Sequence, residues 1–220
     1  MRFADVISHL ETLPDPLPAP PVALMPVRTD GATRLPTTRL GGTAPRAAAV
    51  LVLVIPGDEG DALVVLTERV DRGGHHSGEV SFPGGKAEAT DENAAATALR
   101  EAAEEVDLDA DAAGVRVIGQ LEPFWIPVSD FRVTPVLAVA ARRPRLLASA
   151  DEVARIVEAP VDAFVAGAPI EIVERTVRDW PLRYGGYRID GLHVWGATAR
   201  ILGQLGAIIG AAGEASRPPL

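Results

Sequence analysis

Phe82-Pro83-Gly84-Gly85-Lys86-Ala87-Glu88-Ala89-Thr90-Asp91-Glu92-Asn93-Ala94-Ala95-Ala96-Thr97-Ala98-Leu99-Arg100-Glu101-Ala102-Ala103-Glu104-Glu105-Val106-Asp107-Leu108 is the stretch whose reading decides the fold. A double-glycine turn feeds a run of high helix propensity from Ala94 to Ala98. Thr90, Asp91 and Asn93 are each suited to cap the helix, because their side chains accept from unpaired N–H groups of the first turn. At about 100° per residue, Glu101, Glu104 and Glu105 fall within an arc of roughly 100°. Leu99, Ala95, Ala102, Ala103 and Val106 gather opposite, giving a narrow apolar face fit for close packing. Three carboxylates within a turn and a half repel one another weakly. A cation relieves that repulsion, and hard divalent cations take oxygen ligands. The plain alternative is a solvated acidic helix face.

Upstream, residues 46–56 form a continuous apolar run bounded by prolines, the pattern of a strand buried on both faces. An acidic turn at Gly57–Gly60 joins it to a second strand at Ala62–Arg69, and Val80–Phe82 makes a short strand into the glycine turn. Residues 3–13 carry Phe3, Val6, Ile7 and Leu10 at helical spacing, and the proline-rich stretch 14–27 is an extended connector. Residues 1–45 therefore read as an arm that packs on the domain or on a second subunit, or else as a mobile tail. Downstream, strands are expected at Val115–Ile126, interrupted near Pro123, and at Arg132–Ala141, Ile170–Trp180 and Tyr187–His193. Helical turns are expected at Ala150–Glu158 and Val161–Ala166, and a closing helix at Trp195–Ala212. Strands around a central helix, then strands and a terminal helix, indicate an α/β sandwich on a mixed sheet.

The whole chain has 220 residues, 47% hydrophobic and 23% charged, which suits a single globular domain with an extension. Its net charge of −9 speaks against a general nucleic-acid binder. The absence of cysteine excludes disulfides, thiolate metal sites and thiol catalysis. The apolar stretches Ala47–Ile55 and Leu205–Gly213 fall short of the about 20 residues that span a bilayer, and the N-terminus lacks the apolar core of a signal peptide. A cytoplasmic protein without membrane attachment is the expectation.

The opening stretch resembles the Nudix box of the Nudix hydrolases: Gly, five residues, Glu, seven residues, then Arg-Glu-apolar-x-Glu-Glu-x-Gly-apolar. Arg100, Glu101, Glu104 and Glu105 complete its Arg-Glu-x-x-Glu-Glu core. The interval from Gly85 to Arg100 is one residue longer than usual, so the mid-box acid is Asp91 or Glu92. Asp107 replaces the late glycine and can adopt the left-handed helix-ending conformation, less easily than glycine. The segment before the box is similar to that of coenzyme A pyrophosphatases in Leu66, Thr67, Arg69, Gly78, Phe82, Pro83, Gly84 and Gly85. It departs from that pattern at Val70, where the family has Ser, and at Gly74, where it has Arg. Val133-Thr134-Pro135-Val136 and the run His193 to Leu202 extend the likeness, which covers roughly residues 46–210.

The resemblance implies a Nudix fold over residues 46–215, a mixed sheet between helices, and hydrolysis of a nucleoside diphosphate derivative with Mg²⁺ or Mn²⁺. Glu101 and Glu105 would be the primary metal ligands, with Glu104 sharing a second metal or acting through water and the Gly85 carbonyl completing the shell. Arg100 would pair with a box carboxylate, and the general base would be Glu104, Glu101 or a loop acid such as Glu152. Arg69, Phe82, Gly84, Gly85 and Lys86 are the candidate substrate contacts, coenzyme A or a derivative is the expected substrate, and a homodimer is the expected assembly, if any. Beyond the motif, His75 and His76 suit solvent exposure more than metal ligation, Trp195 suits the core, and Phe124 and Trp125 suit packing or adenine stacking.

Overall fold

The computed structural model describes residues 1–30, 44–70, 79–127, 129–177 and 180–215. Arg72, Gly74, His75, His76 and Gly78, and residues 31–43 of the N-terminal segment, lie outside the described residues. In chain order, α1 (Phe3–Leu10) and β1 (Val27–Arg28) precede β2 (Arg46–Pro56), β3 (Ala62–Arg69), β4 (Val80–Ser81) and β5 (Gly84–Lys86). There follow α2 (Ala94–Val106), α3 (Ala110–Ala113), β6 (Val115–Gln120), β7 (Phe124–Ile126) and β8 (Phe131–Ala140). The chain continues with β9 (Val153–Pro160), β10 (Glu171–Val177), β11 (Trp180–Ile189), β12 (Leu192–Trp195) and α4 (Gly196–Ala215).

The proline-bounded apolar run is β2, and the main sheet is built on it. One edge of β2 runs parallel to β8, from the pair Arg46 and Phe131 to the pair Val54 and Val139. The other edge changes partner: residues Ala48 to Val50 pair with β5, and Val54 to Pro56 with β3, both antiparallel. This change of partner brings the glycine turn into the sheet. Because strand side chains alternate between faces, Val52, Val54, Leu137 and Val139 face one layer, and Leu51, Leu53, Val136 and Ala138 the other. α2 covers the second layer through Ala98, Ala102 and Val106. α1 and α4 cover the first through Val6, Leu10, Leu202, Leu205 and Ile209. Helices on both faces explain why β2 is apolar without alternation. A smaller antiparallel sheet joins β1, β11 and β10, with β12 on β11. The expected mixed sheet between helices is therefore present.

Three expectations are corrected. The strand expected at Tyr187–His193 is split by a turn at Asp190 and Gly191 into the end of β11 and the start of β12, which pair antiparallel. Residues 153–160 form β9, antiparallel to β3, where helical turns were expected. The segment is rich in β-branched residues and buries Val157 and Ala159 on one face, so sheet pairing outweighs local helical preference. The expected helix at 161–166 reduces to a single 3₁₀ turn, Val161–Ala163. Residues 1–30 pack on the domain, with Val6, Leu10 and Leu24 fully buried. Among the described residues, no helix is long and apolar enough to cross a membrane.

α4 lies so close to the 3₁₀ turn that a Cβ at Gly206 would stand 2.0 Å from the Phe164 carbonyl oxygen. A Cβ at Gly210 would meet only Ala166, at 3.6 Å. Alanine gains about 1 kcal/mol over glycine in a helix interior, whereas forcing backbone apart costs about 1–3 kcal/mol or more. Gly206→Ala should therefore lower the melting temperature by several degrees, and Gly210→Ala should leave it unchanged or raise it. Thermal unfolding of the two variants checks both signs.

Candidate active site

α2 begins where its sequence allows. Asn93 is the N-cap, accepting from the Ala96 N–H at 3.0 Å. Asp107 ends the helix in the left-handed conformation, at φ 54°. Asp91 has a different task. Its carboxylate accepts two hydrogen bonds from the Arg100 guanidinium, from Nε and Nη2, each at 3.1 Å. It also accepts from the Glu88 N–H and the Thr97 hydroxyl, each at 2.9 Å. The fork from Arg100, and then the Glu88 N–H, hold the Asp91 carboxyl well below the usual carboxylate range. The box acid is thus Asp91, while Glu92 is exposed to solvent. Arg100 also donates to the Lys86 carbonyl at 3.1 Å, to Glu104 at 3.2 Å and pairs with Glu101 at 3.1 Å. One guanidinium therefore ties the end of the glycine turn, the loop acid and the acidic helix face together.

The glycine turn lies directly against that face. A Cβ on Gly85 would stand 2.5 Å from the Glu101 carboxyl carbon, so any larger residue would displace the Glu101 carboxylate from its place against the turn. A Cβ on Gly84 would strike the Ala49 carbonyl oxygen at 2.4 Å. The Gly84 N–H donates to Glu105 Oε2 at 3.1 Å. Glu105 is 3% exposed, and Arg69 reaches its other oxygen only at 3.7 Å. Burial pushes the Glu105 carboxyl up to about 7, against the opposing Gly84 hydrogen bond and the Arg69 charge, with Glu152 and Glu101 adding to the rise. Burial likewise raises Glu101, offset in part by Arg100. A carboxylate held buried beside other carboxylates, with only a distant cation, is a group short of positive charge.

The three box glutamates thus divide. Glu101 and Glu105 face the glycine turn, whereas Glu104 turns to Arg100 and its side chain is 59% exposed. Ala103, expected on the apolar face, is exposed beside it. Glu152, at the start of β9, lies close enough to raise both Glu101 and Glu105, and its carbonyl accepts from the Val70 N–H at 3.0 Å. Arg69 ends β3 at the same place. Lys86 is exposed at the rim. Phe82 is instead a core side chain, 2% exposed, and offers no surface to a ligand. Trp195 packs in a stack on Tyr184, with ring centroids 4.7 Å apart. Trp125 donates its indole N–H to Asp130 at 3.0 Å. Phe124 is covered by the Arg200 guanidinium, 4.3 Å from the ring centroid.

Among the described residues, no three His, Asp or Glu side chains already converge on one point. Two carboxylates at a glycine turn nevertheless suit a hard cation that keeps much of its water, and the uncompensated burial of Glu105 fits such a cation's charge. Arg200, whose guanidinium covers Phe124, is a residue that sequence reasoning passed over. Its signal was available: it is the only charged residue between Val194 and Gly213.

Residues 45–164 match the NUDIX domain family. Over 167 residues the chain is 37% identical to Nudix hydrolase 15, mitochondrial, of Arabidopsis thaliana, covering 72% of this chain but 56% of the relative. The chain thus spans little more than half the length of this plant relative. It is 39% identical over 163 residues to the uncharacterized Nudix hydrolase NudL of Pectobacterium atrosepticum, covering 73% of this chain and 81% of the relative. Among solved structures, a Nudix hydrolase from M. smegmatis, RenU, superposes with a TM-score of 0.51 at 21% identity, over 88% of this chain and 95% of that one. With the Arg100-Glu101-x-x-Glu104-Glu105 helix packed on the glycine turn of a mixed sheet, and with these matches, the chain belongs to the Nudix family.

Proposed function

We propose that the protein hydrolyses the diphosphate bond of a nucleotide-linked substrate, and that this substrate is coenzyme A or a derivative of it. The observation that carries the reaction is the buried Glu105 carboxylate, held beside Glu101 at the glycine turn with Arg69 at 3.7 Å. Mg²⁺ or Mn²⁺ would be held by Glu101 and Glu105 with the Gly85 carbonyl, where it supplies charge for the diphosphate and acidifies a water. The chain's own groups then divide the work. Arg69, its side chain 40% exposed, offers donors to a phosphoryl oxygen. Arg100 keeps the turn and helix in register through Lys86 and Asp91. Glu104 is engaged by Arg100, which favours Glu152 as the proton acceptor. The water oxygen attacks one phosphorus, its proton passes to Glu152, and the bridging P–O bond breaks. The products are 4′-phosphopantetheine, or its acyl form, and adenosine 3′,5′-bisphosphate.

The choice of coenzyme A rests on Leu66, Thr67, Arg69, Phe82 and Pro83 ahead of the turn. Four of these carry structure rather than chemistry, since Leu66, Thr67, Phe82 and Pro83 are buried, and only Arg69 reaches the site. Gly74, where the pattern has arginine, favours a second reading with ADP-ribose, NADH or an oxidised nucleotide as substrate. Incubation with Mg²⁺ and each of coenzyme A, ADP-ribose, NADH and dinucleoside polyphosphates decides between them. Coenzyme A should be among the best substrates; its failure to turn over would sink the substrate assignment.

Glu105→Gln should reduce turnover by about a hundredfold or more and weaken Mg²⁺ binding. Glu152→Gln should lower kcat by about a hundredfold while leaving Mg²⁺ affinity near wild type. Steady-state kinetics with a metal titration separates these two roles.

Glu105 also sets a pH dependence in the metal-free protein. Its folded-state value of about 7 lies above the ordinary 4.5. The stability this gives is fully present below about 4.5 and is lost as pH rises through about 7. Glu105→Gln should therefore stabilise the metal-free protein at pH 8, on the order of 3 kcal/mol, and change little at pH 5. Denaturant unfolding in chelator at the two pH values measures the difference; equal effects at both would overturn the assignment.

A further inference from the structure

Arg200 stands apart from the chain's other described arginines near the site. It is half-buried on α4, in a chain of net charge −9, yet among the described residues it makes neither a hydrogen bond nor an ion pair. Its guanidinium lies on the Phe124 ring, 4.3 Å from the centroid. Glu122 is close enough to act on its charge but forms no ion pair with it. A guanidinium carries five N–H donors in a planar fork. Burying it without an acceptor is costly, and stacking on a ring offsets only part of that cost. Arg100 and Arg46 show the usual solution: Arg100 has Asp91, and Arg46 donates to the Ser129 carbonyl at 2.7 Å.

The strand register locates the vacant donors relative to the glycine turn. Lys86, Ala48, Val133 and Phe124 are successive partners across β5, β2, β8 and β7. Their side chains share one face of the sheet, and the row is three strand spacings wide, about 14 Å. It starts at the residue after Gly85 and ends beneath Arg200. Its middle holds two small side chains, Ala48 and Val133, which are 8% and 7% exposed. Arg46, one pleat repeat from Ala48 on the same face, lies over the Phe131 ring at 4.1 Å. A cationic rim with aromatic backing thus leads away from the turn, opposite the face covered by α2.

We propose that Arg200, stacked on Phe124 and facing Lys86 across the sheet, binds a second phosphoryl group of the substrate, the one on the ribose 3′ oxygen. The proposal rests on the coenzyme A reading, because coenzyme A carries that group and ADP-ribose does not. A nucleotide anchored by its diphosphate at the glycine turn lies along the row of small residues. Its 3′-phosphate then meets the fork of Arg200, which the described residues leave without an acceptor. Arg200 acts in specificity and takes no part in bond breaking.

The test uses direct binding to the full chain, so that it does not depend on turnover. The probes are adenosine 3′,5′-bisphosphate and adenosine 5′-monophosphate, which differ only in the 3′-phosphate. Wild type should bind the bisphosphate about tenfold tighter or more, the scale of a charged hydrogen-bonded pair. Arg200→Met, which keeps an unbranched apolar chain on Phe124, should bring the ratio near one and leave the monophosphate affinity within about twofold. A wild-type ratio near one, or parallel loss of both nucleotides in R200M, overturns the proposal. If R200M does not fold, Arg200→Lys decides: a point charge lacks the fork, so the ratio should fall, and an unchanged ratio overturns it. Turnover of coenzyme A and dephospho-coenzyme A by the wild type is measured in parallel. Failure on both substrates defeats the coenzyme A reading, while the binding ratio still decides the role of Arg200.

Discussion

The guanidinium of Arg100 is the contact on which the site depends. Its fork on Asp91 closes the loop between the glycine turn and the helix. Its remaining donors fix the Lys86 carbonyl and Glu104. Each bond alone is a modest contributor. Together they set the distance between backbone and helix, and that distance lets Glu101 sit where a Cβ on Gly85 would have to be. Gly85 is required by the Glu101 carboxylate that the clamp brings close, whereas Gly84 is required by the Ala49 carbonyl of β2.

The clamp acts on a sheet that already has a gap. β2 offers one edge first to β5 and then to β3, and the glycine turn occupies the change of partner. The same arrangement brings Arg69 from the end of β3 and Glu152 from the start of β9 to the site, because β3 pairs with both β4 and β9. The acid groups thus come from two elements far apart in sequence. Their mutual repulsion is sustained by packing of Ala98, Ala102 and Val106 beneath α2.

Much of this architecture is legible in the amino-acid sequence. The unbroken apolar run of β2 implies cover on both faces, and the helix with its acidic arc follows from spacing alone. Other features depend on tertiary reach. Asp91 and Glu92 are equivalent as residue types, and only the position of Arg100 separates them. Glu104 and Glu105 are adjacent in sequence on the acidic arc, yet one is directed to solvent and the other under the Gly84 N–H. β9 reads as helical because its residues carry weak local preference and take their conformation from pairing with β3. Phe82 belongs to the motif string ahead of the turn but fills the core. Arg200 is visible as an isolated charge in an apolar helix, and its meaning requires the Phe124 ring beneath it.

The rim of the site also has a chemical peculiarity. Lys86 is the chain's one lysine, against twenty arginines in a total of 21 basic residues, and it is exposed beside the turn. Guanidinium groups hold their charge and resist acylation under conditions where an amine reacts. The protein therefore carries a single side-chain amine, and it stands at the mouth of its own site. An amine-directed fluorophore or cross-linker would mark that mouth and, besides the chain terminus, no other side chain, turning an accident of composition into a built-in reporter position.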